Sequence, residues 1–214
     1  MKTDHLIAML ASGPVGADLR LPARRILFAT AAGLFVAAAA MLVFLGPRPD
    51  LAAAVQMPMF WLKLAVPGLL MAASYAATSR LARPGDRARG AGVAIAAVLA
   101  LLWMAAAVDL GLAAQDRRGA MIEGASAWPC VAGIALLSLP LLFAIFMALR
   151  NLAPTRPAIA GLCAGALSGS AAALVYAVHC NETAVPFLAI WYIVGIAAPA
   201  ILGAVAGPRL LRWA

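Results

Sequence analysis

The sequence predicts an all-α integral membrane protein, a six-transmembrane-helix bundle with both termini in the cytoplasm. Of its 214 residues, 65% are hydrophobic and only 11% are charged, whereas soluble domains carry about 45–50% apolar and about 25% charged residues. Six apolar runs each approach the roughly 20 residues that a bilayer-spanning helix needs. The runs are continuous rather than alternating in polarity, which excludes the strands of a transmembrane β-barrel. The basic residues between the runs give the orientation.

Proline, glycine and charged residues mark where each predicted span begins and ends. The spans cover residues 26–45, 60–78, 92–112, 129–149, 158–179 and 186–206. Each must be helical, because the hydrocarbon core offers no water to backbone groups that lack a partner. Pro67, Pro140 and Pro199 lie inside spans two, four and six and are expected to bend them. A membrane domain of residues 26–207 leaves an N-terminal segment (1–25) and a short C-terminal tail (208–214).

The basic residues are distributed unequally between the two sides of the predicted bundle. Twelve of the sixteen lie in the two termini and in the loops after spans two and four: Lys2, Arg20, Arg24, Arg25, Arg80, Arg83, Arg87, Arg89, Arg150, Arg156, Arg209 and Arg212. Cytoplasmic segments of membrane proteins carry the excess of lysine and arginine, so both termini are predicted to be cytoplasmic. The net charge of +8 is mainly this signal and does not indicate nucleic-acid binding. The arginines within residues 80–89 are expected to contact anionic lipid headgroups.

Ionisable residues are scarce within the spans. Lys63 lies near the outer end of span two and is expected to extend toward water, because long basic side chains reach outward from the bilayer. Asp109 lies in the last turn of span three, also near the outer face, where pairing with Lys63 is the less favoured alternative. Proton-coupled transporters are expected to hold such residues deep in the membrane, so this pattern disfavours a transporter.

Span five carries a repeated small-residue motif, Gly161, Gly165 and Gly169. Glycines four residues apart let helix backbones approach closely in a membrane. Tight packing within one chain is the favoured interpretation, and a homodimer face is the alternative.

Two of the three cysteines map to the outer side of the predicted bundle. Cys130 opens span four and Cys180 follows span five, whereas Cys163 lies toward the cytoplasmic half of span five and is expected to be an inert packing residue. The outer pair is open to three interpretations: a disulfide if the Cα atoms lie within about 7 Å, thiols that sense a metal or an oxidant directly, or unpaired packing thiols. His179 and Glu182 are possible accessory groups, although the spacing matches no recognised metal motif. His179 by itself is expected to reach lipid headgroups, and no metal site is predicted.

The N-terminal segment contains a short amphipathic helix. Thr3 or Asp4 can cap it, and Leu6, Ile7 and Leu10 form one apolar stripe. A helix of about nine residues is not stable alone in water. The segment therefore either lies on the membrane surface or folds when it docks into a groove on a partner.

Several short motifs, in their order and spacing, resemble one family across nearly the whole chain. They are Lys2-Thr3-Asp4-His5-Leu6-Ile7, Arg48-Pro49-Asp50-Leu51, Ala153-Pro154-Thr155-Arg156-Pro157, and an ending with Tyr176, His179-Cys180, Trp191-Tyr192, Gly195, Pro199 and Leu210-Leu211-Arg212-Trp213. The chain resembles the NrsF-type membrane regulators, six-span bacterial anti-sigma factors that hold an extracytoplasmic-function sigma factor inactive at the inner membrane.

The resemblance implies roles for two groups of residues. Cys130 and Cys180 match a cysteine pair that matters for the response to a signal, in a family linked to heavy-metal or oxidative stress. His5 stands where a second acidic residue is expected, which bears on the choice of partner. The N-terminal segment is implied to bind the sigma factor, through Thr3, Asp4, Leu6, Ile7 and Leu10. Besides the sigma factor, the implied partners are membrane lipids, without direct contact to nucleic acid.

Two other classes of protein compete with this interpretation. A membrane thiol–disulfide oxidoreductase would use Cys130 and Cys180, but the chain lacks a CxxC pair and any evident quinone or haem site. A small-solute transporter is disfavoured by the scarcity of ionisable residues within the spans. Because the sequence also has no P-loop, HExxH motif or Ser-His-Asp set, neither an enzyme nor a cofactor is predicted.

Overall fold

The computed structural model describes residue 3 and residues 20–83, 85, 88–152 and 154–211. Six helices in these ranges are long and apolar enough to cross a membrane, and no strand occurs among them. They are α1 (Leu21–Leu45), α2 (Pro58–Leu81), α3 (Arg89–Leu112), α4 (Ala127–Arg150), α5 (Pro157–Tyr176) and α6 (Val185–Leu210). The prediction of an all-α bundle with six spans is therefore confirmed.

The helix ends follow local sequence signals. Pro58 and Pro157 begin α2 and α5, where the missing N–H of proline has no helical partner in any case. Gly46 adopts a φ of 73° at the end of α1, a backbone conformation that favours glycine. Span five, predicted to end at about residue 179, ends at Tyr176, and the chain turns before Cys180.

Some local structure was not predicted. Two short helices, Leu51–Ala54 and Gln115–Glu123, lie in the loops before α2 and before α4. The last turn of α1, Met41–Leu45, and an early turn of α6, Leu188–Tyr192, are π-helical. The helices continue through Pro67, Pro140 and Pro199. The π-helical turn in α6 carries Tyr192, which contributes to the site described below.

Helix α5 forms the centre of the bundle. In its most apolar stretch, 67% of the residues are buried, compared with 17% for α3. It packs against α6, α2, α4 and α1, whereas α3 lies at the edge and packs against α2 and the first turns of α6. The many glycine, alanine and serine residues of α5 permit this, since small side chains leave room for neighbouring helices on several sides.

The contact between α5 and α6 is made by backbone meeting backbone. A Cβ atom added to Gly161 would overlap the carbonyl oxygen of Gly203, and one added to Gly165 would overlap that of Pro199. From α6, a Cβ on Gly207 would overlap the carbonyl oxygen of Pro157. The prediction that these glycines pack within one chain is confirmed, and the same faces are not free to form a homodimer.

The helices place alternate loops at opposite ends of the bundle. One end carries residues 46–57, 113–126 and 177–184, which contact one another, and we call it the thiol end because Cys130 and Cys180 lie there. The opposite end carries the described residues 82, 83, 85, 88, 151, 152 and 154–156 and the start of α1, where the Tyr75 hydroxyl donates to the carbonyl of Ala23 at 2.9 Å.

Candidate functional site

Cys130 and Cys180 lie side by side at the thiol end. Cys130 is in the first turn of α4, and Cys180 is in the loop between α5 and α6, where its N–H donates to the Tyr176 carbonyl at 3.0 Å. The side chains are 0% and 3% exposed, both are free thiols, and a hydrogen bond links them. Cys163 lies about 20 Å from Tyr176 along α5, half-buried near the opposite end. The structure therefore brings together the two predicted cysteines and separates the third.

Lys63 points into the protein, which corrects the prediction that it extends outward or pairs with Asp109. Its side chain is 1% exposed, and Nζ donates to the carbonyl oxygens of Cys180 at 2.6 Å and Glu182 at 2.7 Å. The Tyr192 ring lies below the amino group, with its centroid 5.6 Å from Nζ. Lys63 does lie near one end of its span, but carbonyl oxygens of the α5–α6 loop accept its hydrogen bonds inside the bundle.

Arg48 is a second basic residue that the sequence analysis did not assign to the site. It is 8% exposed; its backbone N–H donates to Val178 at 3.2 Å and its Nη1 donates to the Cys180 carbonyl at 3.5 Å. Its guanidinium also forms two 2.7 Å hydrogen bonds with the Asp50 carboxylate. This bidentate pair holds the pKa of Asp50 below its usual range. Arg48 and Lys63 both lie on the predicted outer side, where basic residues are few. Their unusual position was the one feature of the sequence that could have indicated a role for them in the site.

His179 and Glu182 join the α5–α6 loop to two other loops. His179 Nδ1 is 2.8 Å from the carbonyl oxygen of Gly46, and its ring packs against Tyr176 with centroids 5.5 Å apart. The prediction that His179 reaches outward to headgroups is thus wrong. The Glu182 carboxylate accepts from the Ala125 N–H at 2.8 Å and from Ser126 Oγ at 3.3 Å. Within the described ranges, no group of three or more His, Cys, Asp or Glu side chains is arranged to hold a metal ion.

The surroundings of Cys180 favour the ionised form of its thiol. A hydrogen bond from Cys130 lowers the pKa of the Cys180 thiol most; burial raises it, and the positive charge of Lys63 and the N–H of Glu182 lower it further. The net result is a pKa below the usual thiol range. The Tyr192 hydroxyl lies beside the same sulfur, buried and without a well-aligned hydrogen bond of its own.

A cavity of about 430 Å³ reaches this site from the thiol end. The walls include Cys180 but not Cys130, and they are formed with Arg48, Tyr176, His179 and Glu182. Of the two cysteines, only Cys180 therefore lines the space through which a small molecule would enter.

The predicted partner-binding residues fall almost entirely outside this description. Asp4, Leu6, Ile7 and Leu10 lie outside the described residues, and Thr3 is exposed. Their assignment stays a prediction from the sequence.

The fold and the site define an all-α polytopic membrane protein with a buried pair of free thiols at one end of the bundle. The chain belongs to the NrsF family, whose sequence model, described as "negative regulator of sigma F", matches residues 10–213. It is 38% identical over 213 residues to a protein of Azospira oryzae named probable anti-sigma-F factor NrsF. It is 41% identical over 217 residues to the anti-sigma-F factor NrsF of Caulobacter vibrioides. Both alignments span the full length of each chain. No solved structure matches.

Proposed function

We propose that this protein is a membrane-bound anti-sigma factor that sequesters an extracytoplasmic-function sigma factor and releases it when a signal reaches Cys130 and Cys180. Membership of the NrsF family and the names of its relatives support the anti-sigma role, which is binding rather than catalysis. One observation supports the proposal that the cysteines sense the signal: the two thiols lie next to each other, at the end of the bundle opposite the start of α1.

The proposed orientation puts the thiol end in the periplasm and both termini in the cytoplasm of the bacterial inner membrane. The charge bias supports it, because twelve of the sixteen basic residues lie in the termini and in the loops of the opposite end. In this arrangement residues 1–25 form the sigma-binding segment, residues 26–207 the membrane domain and residues 208–214 the cytoplasmic tail. The short helix of the first segment, with Thr3 or Asp4 as its cap and the apolar stripe of Leu6, Ile7 and Leu10, would fold as it docks on the sigma factor.

The signal would act by changing which arrangement of the bundle is more stable. Cys180 sits in a loop held by Lys63 of α2 and by Arg48 of the α1–α2 loop, so a chemical change at its sulfur disturbs contacts with two other elements. A signal shifts such an equilibrium only by its differential affinity for the two arrangements. Because α5 ends just before Cys180, a movement of the loop displaces the central helix of the bundle.

The sigma-binding part is tested by co-expressing the protein with the sigma factor and a reporter gene. Removing residues 1–20 is expected to abolish repression, and Ile7→Asp should do the same by charging the apolar stripe. Ala8→Asp, which adds the same charge away from the stripe, is the matched control and should repress normally. Repression that survives the loss of residues 1–20 would show that the segment is not the docking element.

The sensing part is tested in the same reporter cells by adding cadmium or peroxide. Cys130→Ala and Cys180→Ala are each expected to change the induced signal, and Cys163→Ala, remote from the pair, should leave it unchanged. If all three variants respond alike, the thiol pair is not the sensor.

A further inference from the structure

The two thiols differ in their access to the thiol end of the bundle. Cys180 lines the cavity of about 430 Å³, and Cys130 is not among the residues of its walls. Cys130 is 0% exposed and lies next to Cys180, in the first turn of α4. A small reagent that enters through the cavity therefore meets Cys180 first.

The two thiols also differ in their position relative to a buried charge. Lys63 forms no ion pair within the described part of the chain, whereas Arg48 is paired with Asp50. The Glu182 carboxylate does not neutralise it, since that group accepts from Ala125 and Ser126 in a neighbouring loop. The ammonium is held instead by two carbonyl oxygens and the ring of Tyr192. A buried cation without a carboxylate partner stabilises an anion formed next to it.

Every element around Cys180 contributes a group that bears on its ionisation. Lys63 from α2 and Arg48 from the α1–α2 loop bring positive charge, and the Cys130 thiol from α4 donates a hydrogen bond. The N–H of Glu182 also donates to the sulfur, and the hydroxyl of Tyr192 from α6 lies beside it without a well-aligned hydrogen bond. The Tyr176 and His179 rings pack nearby, and the Glu182 carboxylate is the one negative group of the described residues in the cavity wall.

We propose that Cys180 is the thiol that reacts first with an electrophile entering from the thiol end, and that Lys63 is the positioning residue that favours its thiolate. Cys130 keeps its proton and donates it in a hydrogen bond to the Cys180 sulfur. The inference rests on the proposed sensing role of the pair and specifies how the signal enters it. With iodoacetamide as the electrophile, the thiolate sulfur forms a bond to carbon and iodide leaves, so no further reactant is needed.

The test measures alkylation of the full-length protein in detergent across a pH series, with the modified cysteines identified by mass spectrometry. Cys180 is expected to be modified before Cys130, with a rate midpoint below the ordinary thiol pKa of about 8.5. Lys63→Gln keeps a hydrogen-bond donor but removes the charge, and should shift that midpoint upward. A shift of one pKa unit lowers the rate about tenfold at any pH well below both midpoints.

Lys63→Arg restores the charge and is expected to return the midpoint toward that of the wild-type protein. A purely structural role of Lys63 would change thermal unfolding without moving the midpoint of the pH profile. Modification of Cys130 first, or a wild-type midpoint at or above the ordinary thiol value, overturns the proposal even if Lys63→Gln does not fold. The assay contains no sigma factor, so its failure is distinguishable from loss of repression by the N-terminal variants.

Discussion

Glu182 is the residue that joins the thiol-bearing loop to the loop before α4. Its carboxylate accepts from the Ala125 N–H at 2.8 Å, while its own backbone carbonyl accepts from Lys63 at 2.7 Å. We expect Glu182→Ala to lower the free energy of unfolding by about 1 kcal/mol, since the group is only partly buried and a hydrogen bond to a charged acceptor contributes about 1.5–3 kcal/mol at most. The melting temperature in detergent should then fall by about 2–4 °C.

Glu123→Ala is the matched control for this prediction. Glu123 is exposed at the end of the short helix Gln115–Glu123, close to the same loop in sequence. Its replacement removes an equal charge without removing a contact between loops. Equal melting temperatures for the two variants would show that the Glu182 carboxylate does not stabilise the thiol end.

For individual residues, the sequence was a better guide to where each one lies along the chain than to the direction in which its side chain points. The sequence predicted that Cys130 and Cys180 lie at the same end of the bundle, because the span count puts both on one side, but it left open whether the two thiols meet. The inward orientation of Lys63 and Arg48 depends on the carbonyl groups of residues 178–182, more than a hundred positions away in sequence. No local sequence pattern indicates such a contact. The only indication is that Lys63 and Arg48 lie on the predicted outer side, where basic residues are few.

Among the helices, the α5–α6 contact is the most sensitive to side-chain size. A Cβ atom on Gly165 would lie 2.6 Å from the Cα atom of Ala200, and backbone cannot move aside as a flexible side chain does. Gly165→Ala is therefore expected to force the helices apart and to lower the free energy of unfolding by about 1–3 kcal/mol, the usual cost of overpacking. Thermal unfolding of the detergent-solubilised protein measures this loss.

Gly111→Ala makes the same change where nothing lies within 4 Å of the added atom. In a helix, replacing glycine by alanine is favourable by up to about 1 kcal/mol, so no loss of stability is expected. A stability of Gly165→Ala equal to that of Gly111→Ala would contradict close packing of α5 on α6.

The helices that could be predicted are those whose positions are determined by local sequence signals. Apolar runs and the prolines that begin α2 and α5 are local signals, and the spans were predicted to within a few residues at most ends. The short helix Gln115–Glu123 was not predicted, since its polar sequence shows no apolar periodicity. The π-helical turn Leu188–Tyr192 was not predicted either, because the residues that pack around it come from other helices.

For the whole molecule, a signal at the thiols must cross the bundle to reach the opposite end. A helix of 20 residues such as α5 spans about 30 Å. The buried hydroxyls of Thr78, Ser168 and Ser170 donate to carbonyls of their own helices, so they do not form a polar relay between helices. The signal would therefore be transmitted by the packing of α5 against its neighbours. The close glycine contacts make α5 and α6 a rigid pair that would move together.

Orientation in the membrane is the property of the whole chain on which the signalling proposal depends. The charge bias predicts a cytoplasmic loop between α4 and α5 and a periplasmic loop between α3 and α4. In a variant whose native cysteines are serines, Gly119→Cys should react with a membrane-impermeant maleimide in intact spheroplasts. Thr155→Cys, equally exposed at the other end, should react only after permeabilisation. The reverse pattern would put the thiol end in the cytoplasm, where reducing conditions keep thiols reduced, and would exclude sensing from the periplasm.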